Sequence, residues 1–199
     1  MPQISATEFY ALPLRVHTFL ADVPLHDVWA VDLPKLRDGV TLCEFLRRAS
    51  QHVCDTADTE INRLPPVARA LFRLRFFLGR IFRLEAEPTD ALAASFGSRL
   101  TPEDRARSLV VSGKPEGLFR VVYRFENEQL LEVQNRTVHG AALSALAERA
   151  DSYRFYFAVY VRQRTWITPF YMGLIDPFRK WIMYPAMLKK IRATWDQNI

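Results

Sequence analysis

The stretch that most constrains the fold is YRFYFAVYVRQ at residues 153–163, because Tyr, Phe and Val fill most of its positions. Aromatic and β-branched residues favour strands, so this stretch predicts the clearest strand of the chain. Successive side chains of a strand point to opposite faces. Aromatic residues occur on both: one face carries Tyr153, Phe155, Phe157, Val159 and Val161, and the other carries Arg154, Tyr156, Ala158, Tyr160 and Arg162. The pattern alone leaves open which face lines a pocket.

Further strands are predicted just before this one. Residues 118–125 alternate between apolar and polar, and residues 129–138 follow after a turn at 126–128. Residues 139–152 are ambiguous, since their Ala and Leu content favours a helix. Their position before a strong strand favours instead the first arm of a hairpin that turns at 149–152. We adopt the strand.

The first half of the chain predicts a mixture of elements. Residues 15–23 alternate and predict a strand, whereas residues 24–33 fit a short helix with Pro24 in its first turn. Residues 41–49 predict a helix with Thr41 as N-cap and Glu44 closing a capping box.

Two more helices follow. The strongest helical pattern is at 65–85, where a double proline begins a stretch rich in Phe and Arg. Thr101 and Pro102 begin a shorter helix over 101–108, with two acidic residues in its positive first turn. This helix is expected to lead into a strand at 108–113.

The C-terminal stretch 168–198 predicts one long helix that is capped by Thr168. Pro177 and Pro185 should kink or divide it. Apolar residues recur at helical spacing, at positions 170, 174, 178, 181, 182, 188, 191 and 195.

Composition places the chain among globular proteins. Its 199 residues are 49% hydrophobic and suffice for a single domain, 1–199. No stretch reaches the roughly 20 apolar residues of a transmembrane helix, and the N-terminus lacks the pattern of a signal peptide. The two cysteines, Cys43 and Cys54, are interpreted as reduced thiols. We therefore expect a cytoplasmic protein.

Several classes of site are not indicated by any motif. The sequence contains neither the glycine-rich fingerprint of nicotinamide-binding domains nor a P-loop. The four histidines lack metal-ligand spacing. The net charge of +5 is scattered rather than gathered in a nucleic-acid-binding motif. We expect no metal, no cofactor and no nucleic-acid partner.

The order of strand, short helix, helical insertion at about 40–105, antiparallel strands and long C-terminal helix resembles the START-like helix-grip fold of the SRPBCC superfamily, which includes polyketide cyclases. FLADVPLHDVWAVDLP, YRFENEQLLEVQNRTVHGA, YRFYFAVYV and TPFYMGLIDPFRKWIMYPAML resemble, more specifically, a bacterial domain of unknown function. That domain also occurs behind a short-chain dehydrogenase-like domain in other chains. The resemblance covers about residues 10–195.

This resemblance implies an α+β fold in which a curved antiparallel sheet wraps around the C-terminal helix. It also implies an apolar cavity between sheet and helix that binds a small apolar or aromatic molecule. Residues expected to contact this ligand are Asn135, Thr137, Phe155, Phe157, Tyr160, Phe178 and Trp181. The family offers no catalytic residues to carry over, so whether the protein is an enzyme stays open.

The polar stretch ENEQLLEVQNRTVHG at 126–140 is the candidate for chemistry. If 129–139 is one strand, Leu131, Val133, Asn135, Thr137 and His139 form a mixed face that suits a pocket wall. The face with Glu132 would then meet solvent, and Glu126, Asn127 and Glu128 would be turn residues in contact with water.

Acid–base help from His139, Tyr156 and Arg124 is the form of catalysis we would expect, if any occurs. The alternatives for His139 and Tyr156 are ordinary packing roles. Two other functions stay open. The Arg- and Phe-rich helix at 65–85 suits a lipid carrier or a membrane-peripheral protein, and the domain's occurrence behind dehydrogenases suggests an interaction partner of a separate dehydrogenase.

Overall fold

The computed structural model describes residues 3–53, 95–117, 119–134, 138–163, 173, 176–177 and 179–198. Its centre is a six-stranded sheet in which every pair of neighbours is antiparallel. The strands are β1 (Leu25–Pro34), β2 (Pro115–Glu116), β3 (Phe119–Arg124), β4 (Glu128–Gln134), β5 (Val138–Glu148) and β6 (Ser152–Gln163), in the order β1-β6-β5-β4-β3-β2.

Helices lie on both sides of the sheet. They are α1 (Ala6–Tyr10), α2 (Val16–Phe19), α3 (Leu42–Val53), α4 (Pro102–Arg107) and α5 (Tyr184–Asn198), with a 3₁₀ turn at Phe96–Arg99 and a π-helical turn at Arg179–Met183. The predicted α+β class is therefore confirmed. The predicted helix at 65–85 lies outside the described residues.

The hairpin β5–β6 is the best-predicted part of the fold. Both strands are present, and Arg149 N donates to Ser152 O at 2.8 Å in the turn between them. Strand β6 lies between β1 and β5. Helices cover both faces of the sheet at β6, which explains why this strand carries large side chains on both faces.

The two faces of the sheet bury separate cores. On one side, which we call the α5 face, Trp29, Val31, Leu33, Tyr153 and Phe155 pack with Tyr184, Leu188 and Trp195 of α5. On the other side, the α1 face, Val28, Ala30, Tyr156, Ala158 and Tyr160 pack with Phe9 of α1 and with Val16 and Phe19 of α2. Helix α3 joins the α5 face through Phe45.

The predictions for residues 15–33 were wrong, because strand and helix are exchanged. The predicted strand at 15–23 contains helix α2, and the predicted helix at 24–33 is strand β1. Buried Val16, Phe19, Leu20 and Val23 recur at the helical spacing i, i+3, i+4, i+7. Strand β1 is apolar on both faces, so the alternation that identifies a half-buried strand is absent.

Residues 108–113 were also wrongly predicted as a strand. They run beside β3 with only scattered bonds, from Leu109 N to Arg124 O and from Gly113 N to Val121 O, each at 2.8 Å. Gly113 has a φ of 87°, which ends any extended run. The predicted strand at 129–138 is likewise two strands, since β4 ends at Gln134 and Val138 begins β5.

The predicted N-caps Thr41 and Thr101 are confirmed, whereas the closing of the α3 capping box by Glu44 stays a prediction. Glu44 N donates to Thr41 Oγ1 at 3.1 Å at the start of α3. At α4, Asp104 N donates to Thr101 Oγ1 at 3.1 Å and Thr101 N donates to Asp104 Oδ2 at 3.2 Å, which completes a capping box. Asp104 is also held by Arg15, whose Nε and Nη2 lie 2.9 Å from its two oxygens.

The Arg15 side chain lowers the pKa of Asp104 to about 2, with further help from Thr101. A carboxylate whose pKa falls on folding contributes stability above its unfolded pKa, and that stability is lost as the pH falls through the folded pKa. Asp104→Asn should therefore lower the free energy of unfolding by about 1–2 kcal/mol at neutral pH. The difference from wild type should shrink between about pH 4 and pH 2.

Urea unfolding of both proteins across this range measures the effect. The matched control is Glu103→Gln, which changes the exposed neighbouring acid of the same helix. A difference between wild type and Asp104→Asn that stays constant with pH would contradict the assignment.

The C-terminal helix is divided near Pro185, one of the two predicted places, and the other, at Pro177, stays a prediction. The π-helical turn Arg179–Met183 ends two residues before Pro185, which cannot donate a backbone hydrogen bond. Helix α5 then begins at Tyr184 and ends at Asn198. Its far end is fixed by Trp195, whose Nε1 donates to Pro34 O of β1 at 2.8 Å. None of the described helices has the length and the apolar run needed to cross a bilayer.

Candidate functional site

Along β6, the α5 face is closed at one end and only half covered further along, at Phe157 and Val159. At the closed end the paired residues Leu33 and Tyr153 are each 1% exposed. Two residues further along each strand, Val31 and Phe155 are buried as well. Trp29 is buried beside the half-buried Phe157, and finally a buried Asp27 stands beside the half-buried Val159. Burial on this face therefore decreases along β6, from Tyr153 and Phe155 to Phe157 and Val159, whereas the β1 side stays buried as far as Asp27.

Half-buried apolar side chains continue from Val159 across the sheet. Cross-strand partners share a face, so Asp27, Val159, Ala142 and Leu131 form one row over β1, β6, β5 and β4. Of these, Val159, Ala142 and Leu131 are half-buried, and we call these three the open row. In the next row Ser144 is also small and half-buried. The open row leaves apolar surface that α5 does not cover.

Tyr184 is where α5 meets the aromatic part of this face. Its ring centroid lies 5.5 Å from that of Trp29 and 5.3 Å from that of Phe157, both in edge-to-face geometry. Trp29 Nε1 is buried and has no hydrogen-bond partner among the described residues. A buried indole N–H without an acceptor is costly, so this donor is a natural contact for a bound molecule.

A polar cluster lies at the Asp27 end of the open row. His26 Nε2 is 2.8 Å from Asp176 Oδ2 and 3.9 Å from Asp27 Oδ2. Arg179 Nη1 donates to Asp176 Oδ1 at 2.9 Å, and Arg179 Nη2 lies 3.5 Å from Asp27 Oδ2. Arg179 also donates to the Tyr184 hydroxyl through Nε at 2.7 Å. These contacts join β1 to the segment that precedes α5.

Burial sets the electrostatics of this cluster. The side chain of Asp27 is 0% exposed, and burial raises its pKa against the opposing effect of Arg179 and His26. Burial also raises the pKa of Tyr184. Asp27 Oδ1 is buried without a hydrogen-bond partner among the described residues. The cluster thus offers a free acceptor and a donor-rich guanidinium at the opening of the α5 face.

His139, a predicted catalytic residue, is buried on the α1 face. Its Nε2 lies 3.2 Å from Glu132 Oε2, and its ring stacks on Phe96 with centroids 3.7 Å apart. Phe96 N donates to the same carboxylate at 2.8 Å, and the Ser95 hydroxyl also donates to it. Burial opposes ionisation of Glu132, but the bonds from His139, Ser95 and Phe96 lower its pKa. These contacts attach the 3₁₀ turn to the sheet.

The expectation that Glu132 meets solvent was wrong, since it is 3% exposed. The face that carries Glu132 is covered by the 3₁₀ turn, whose Ser95 and Phe96 donate to the carboxylate. The chain reverses between Gln134 and Val138, so His139 pairs with Gln134 and shares the α1 face with Glu132. Leu131 and Val133 of the predicted pocket wall do face the α5 side.

Glu128 was wrongly placed in a turn that meets water. It begins β4, is 6% exposed, and accepts bonds from Arg15 N at 2.8 Å and Val16 N at 2.9 Å. The Tyr123 hydroxyl donates to it as well. Burial raises the pKa of Glu128 against these donors. Glu126 and Asn127, in contrast, are exposed turn residues as predicted.

The predicted catalytic residues do not converge. His139 pairs with Arg162, whereas Tyr156 pairs with Ala145, six residues further along β5. That separation is about 20 Å at the rise of a strand. Arg124 lies on β3, three strands from β6, or about 14 Å.

Two of these residues have structural partners of their own. Tyr156 is 1% exposed and its hydroxyl accepts a bond from Arg149. Arg124 bonds to Gln129 and Glu116.

The predicted ligand contacts are distributed over several places. Phe155 and Phe157 lie on the α5 face, and Tyr160 lies on the α1 face, where it is 1% exposed. Trp181, in the π-helical turn, is 79% exposed. Asn135, Thr137 and Phe178 lie outside the described residues.

A separate cleft of about 490 Å³ lies at the outer edge of β1. Its lining includes the charged residues Glu8, Asp32, Arg154 and Arg192. Arg154 joins Asp32 to Glu8 by ion pairs, which raise its pKa. These ion pairs attach the N-terminal segment to the sheet edge. The cleft therefore differs in chemistry from the apolar open row.

Sequence reasoning missed the polar cluster because Asp27 and Asp176 stand in distant parts of the chain. One local signal was present. Once residues 25–34 are treated as a strand, Asp27 falls on the same face as Trp29, Val31 and Leu33, where an acid is out of place.

The fold and this site place the chain in the α+β class of proteins with one open antiparallel sheet. The family described as a protein of unknown function, DUF2867, matches residues 19–186, and the chain belongs to that family. No curated protein and no solved structure gives a significant match. The prediction of a domain of unknown function is thus confirmed. Any proposal about its function has to be argued from the geometry of the site.

Proposed function

We propose that the protein is a START-like, helix-grip domain that binds a small apolar or aromatic molecule between the α5 face and the C-terminal helix. Support comes from the strand order, in which β1 and β6 are neighbours and the last helix packs across them. The observation that carries the proposal is the decrease in burial along the α5 face, from Leu33 and Tyr153 to the open row.

The open row suits a ligand better than it suits a closed core. Fully buried positions of the same face hold large residues such as Tyr153 and Phe155, whereas Ala142 and Ser144 are small. Interiors are packed without voids, so the small, half-buried Ala142 and Ser144 near Phe157 leave room for another molecule. Pockets for small molecules combine such an apolar wall with few polar groups.

The polar atoms restrict the chemistry of the ligand. Trp29 Nε1 can only donate, so a ligand that reaches it must present an acceptor such as a carbonyl, ether or hydroxyl oxygen. A mainly apolar molecule with one such oxygen satisfies both Trp29 and the open row. Fatty acids, sterols and aromatic polyketides all meet this description.

Native mass spectrometry of the freshly purified protein tests the proposal, followed by titration with a panel of these compounds. The variant Val159→Trp should weaken binding at least about tenfold, since the added ring fills the open row. Ala142→Leu fills the same space with a smaller change. The matched control is Val111→Trp, which adds the same ring at a position that is 81% exposed.

Thermal melting shows whether each variant is folded. Binding that is lost in Val159→Trp and Ala142→Leu but kept in Val111→Trp would support the proposal. A wild-type protein that carries nothing and binds no member of the panel would contradict it. Binding that both filling variants retain would place the ligand elsewhere.

Other functions remain proposals beside this one. A lipid carrier would give the same pocket result and differ by transferring its ligand to anionic vesicles. If the protein is instead a partner of a separate dehydrogenase, that dehydrogenase should co-purify with it. Catalysis by His139, Tyr156 or Arg124 would require turnover of the bound compound, and each alanine variant would then reduce that turnover.

A further inference from the structure

The polar cluster at the end of β1 has the composition of a metal site. His26, Asp27 and Asp176 each offer one ligand atom, and these atoms all lie within 4.8 Å of one another. One imidazole with two carboxylates is a donor set that suits zinc and other divalent transition metals. Three protein ligands also leave a coordination position for water or a bound molecule.

In the structure, His26 bonds to Asp176 and lies 3.9 Å from Asp27 Oδ2, so an ion would take the place of the His26–Asp176 bond. Arg179 holds Asp176 by Oδ1 and approaches Asp27 at Oδ2. The other oxygens are Asp176 Oδ2, which faces His26 at 2.8 Å, and Asp27 Oδ1. Arg179 thus orients each carboxylate through one oxygen, as supporting residues around metal sites do.

The buried oxygen Asp27 Oδ1 indicates, separately from the donor set, that a bound group is missing from this cluster. The Asp27 side chain is 0% exposed, and this oxygen has no hydrogen-bond partner among the described residues. An uncompensated buried carboxylate oxygen is costly. A bound cation would supply the missing interaction.

The site is also reachable from solvent. The side chain of His26 is 25% exposed and that of Asp176 is 18% exposed. Lys180 Nζ lies 3.9 Å from Asp176 Oδ2, too far for a hydrogen bond, and its side chain is 32% exposed. Lys180 can therefore move aside, and it competes with a cation for the same oxygen.

From these contacts we infer that His26, Asp27 and Asp176 form a binding site for one divalent transition-metal ion. The site stands on its own evidence and does not depend on the proposed apolar ligand.

Calorimetric titration of chelator-treated full-length protein with Zn²⁺ tests the inference, and Co²⁺ absorption in the visible range reports the geometry. One ion should bind per chain. His26→Ala and Asp27→Asn should each weaken binding at least about tenfold, since each removes a ligand. Asp196→Asn is the matched control, because it removes an exposed carboxylate on α5.

Lys180→Ala gives a readout in the opposite direction. Removal of the competing cation should tighten Zn²⁺ binding several-fold. His26→Ala changes a partly exposed side chain, so it tests the site even if Asp27→Asn fails to fold. Absence of one-to-one binding by folded wild-type protein would overturn the inference, as would binding that His26→Ala leaves unchanged. Neither result would affect the test of the apolar ligand.

Discussion

Replacement of Glu128 by Ala is expected to lower the free energy of unfolding by about 3 kcal/mol or more. The carboxylate accepts bonds from Arg15 N, Val16 N and the Tyr123 hydroxyl, and it is 6% exposed. Truncation leaves these donors without a partner, and each buried unsatisfied donor costs about 1–3 kcal/mol. It also removes the group that holds the N-terminus of α2 against β4.

Urea unfolding at neutral pH measures this loss. Glu126→Ala is the matched control, since Glu126 is an exposed acid only two residues away. Its effect should stay within about 0.5 kcal/mol. Similar effects of the two substitutions would show that Glu128 meets water, as the sequence pattern suggested, and would contradict the structure.

Replacement of Trp195 by Ala should cost about 3–5 kcal/mol. The Trp195 side chain is 0% exposed and packs on Phe45 and Tyr153, with ring centroids 5.4 and 5.2 Å away. Its indole N–H also donates to Pro34 O. The substitution removes a large buried side chain at the point where α3, α5 and β1 meet.

Trp181→Ala provides the control within the same C-terminal segment. Trp181 is 79% exposed, so its removal should change stability by less than about 0.5 kcal/mol. Guanidinium unfolding of both variants gives the comparison. Trp181 was also predicted to contact a ligand. If Trp181→Ala weakens binding without loss of stability, the exposed ring closes over the bound molecule, whereas unchanged binding would remove it from the site.

The correctly predicted elements have local causes. The hairpin β5–β6 follows from the Tyr, Phe and Val content of 153–163 and from the turn at Arg149. The α4 cap follows from Thr101 and Asp104, which lie three residues apart and bond to each other's backbone. Such signals depend on neighbouring residues only, so they can be read before the fold is known.

The candidate site could be predicted only in part. The aromatic wall was expected, because Phe155 and Phe157 alternate with Tyr156 along a clear strand. The pattern did not decide which face of β6 meets α5, because both faces carry aromatic residues. The tertiary structure decides this: the face of β6 with Phe155 packs with Tyr184 of α5, and the face with Tyr156 packs with Phe9 of α1.

The sequence by itself determined the α+β class, the β5–β6 hairpin and the capped helices, since periodicity, turn residues and caps act over a few positions. The tertiary structure alone decided which acids are buried. Glu128 is buried because α2 supplies donors from 112 residues away in the chain, and Asp27 lies beside Arg179, 152 residues away. A carboxylate is buried only where such donors replace its hydration. A local sequence pattern cannot predict these donors, because folding brings them from distant parts of the chain.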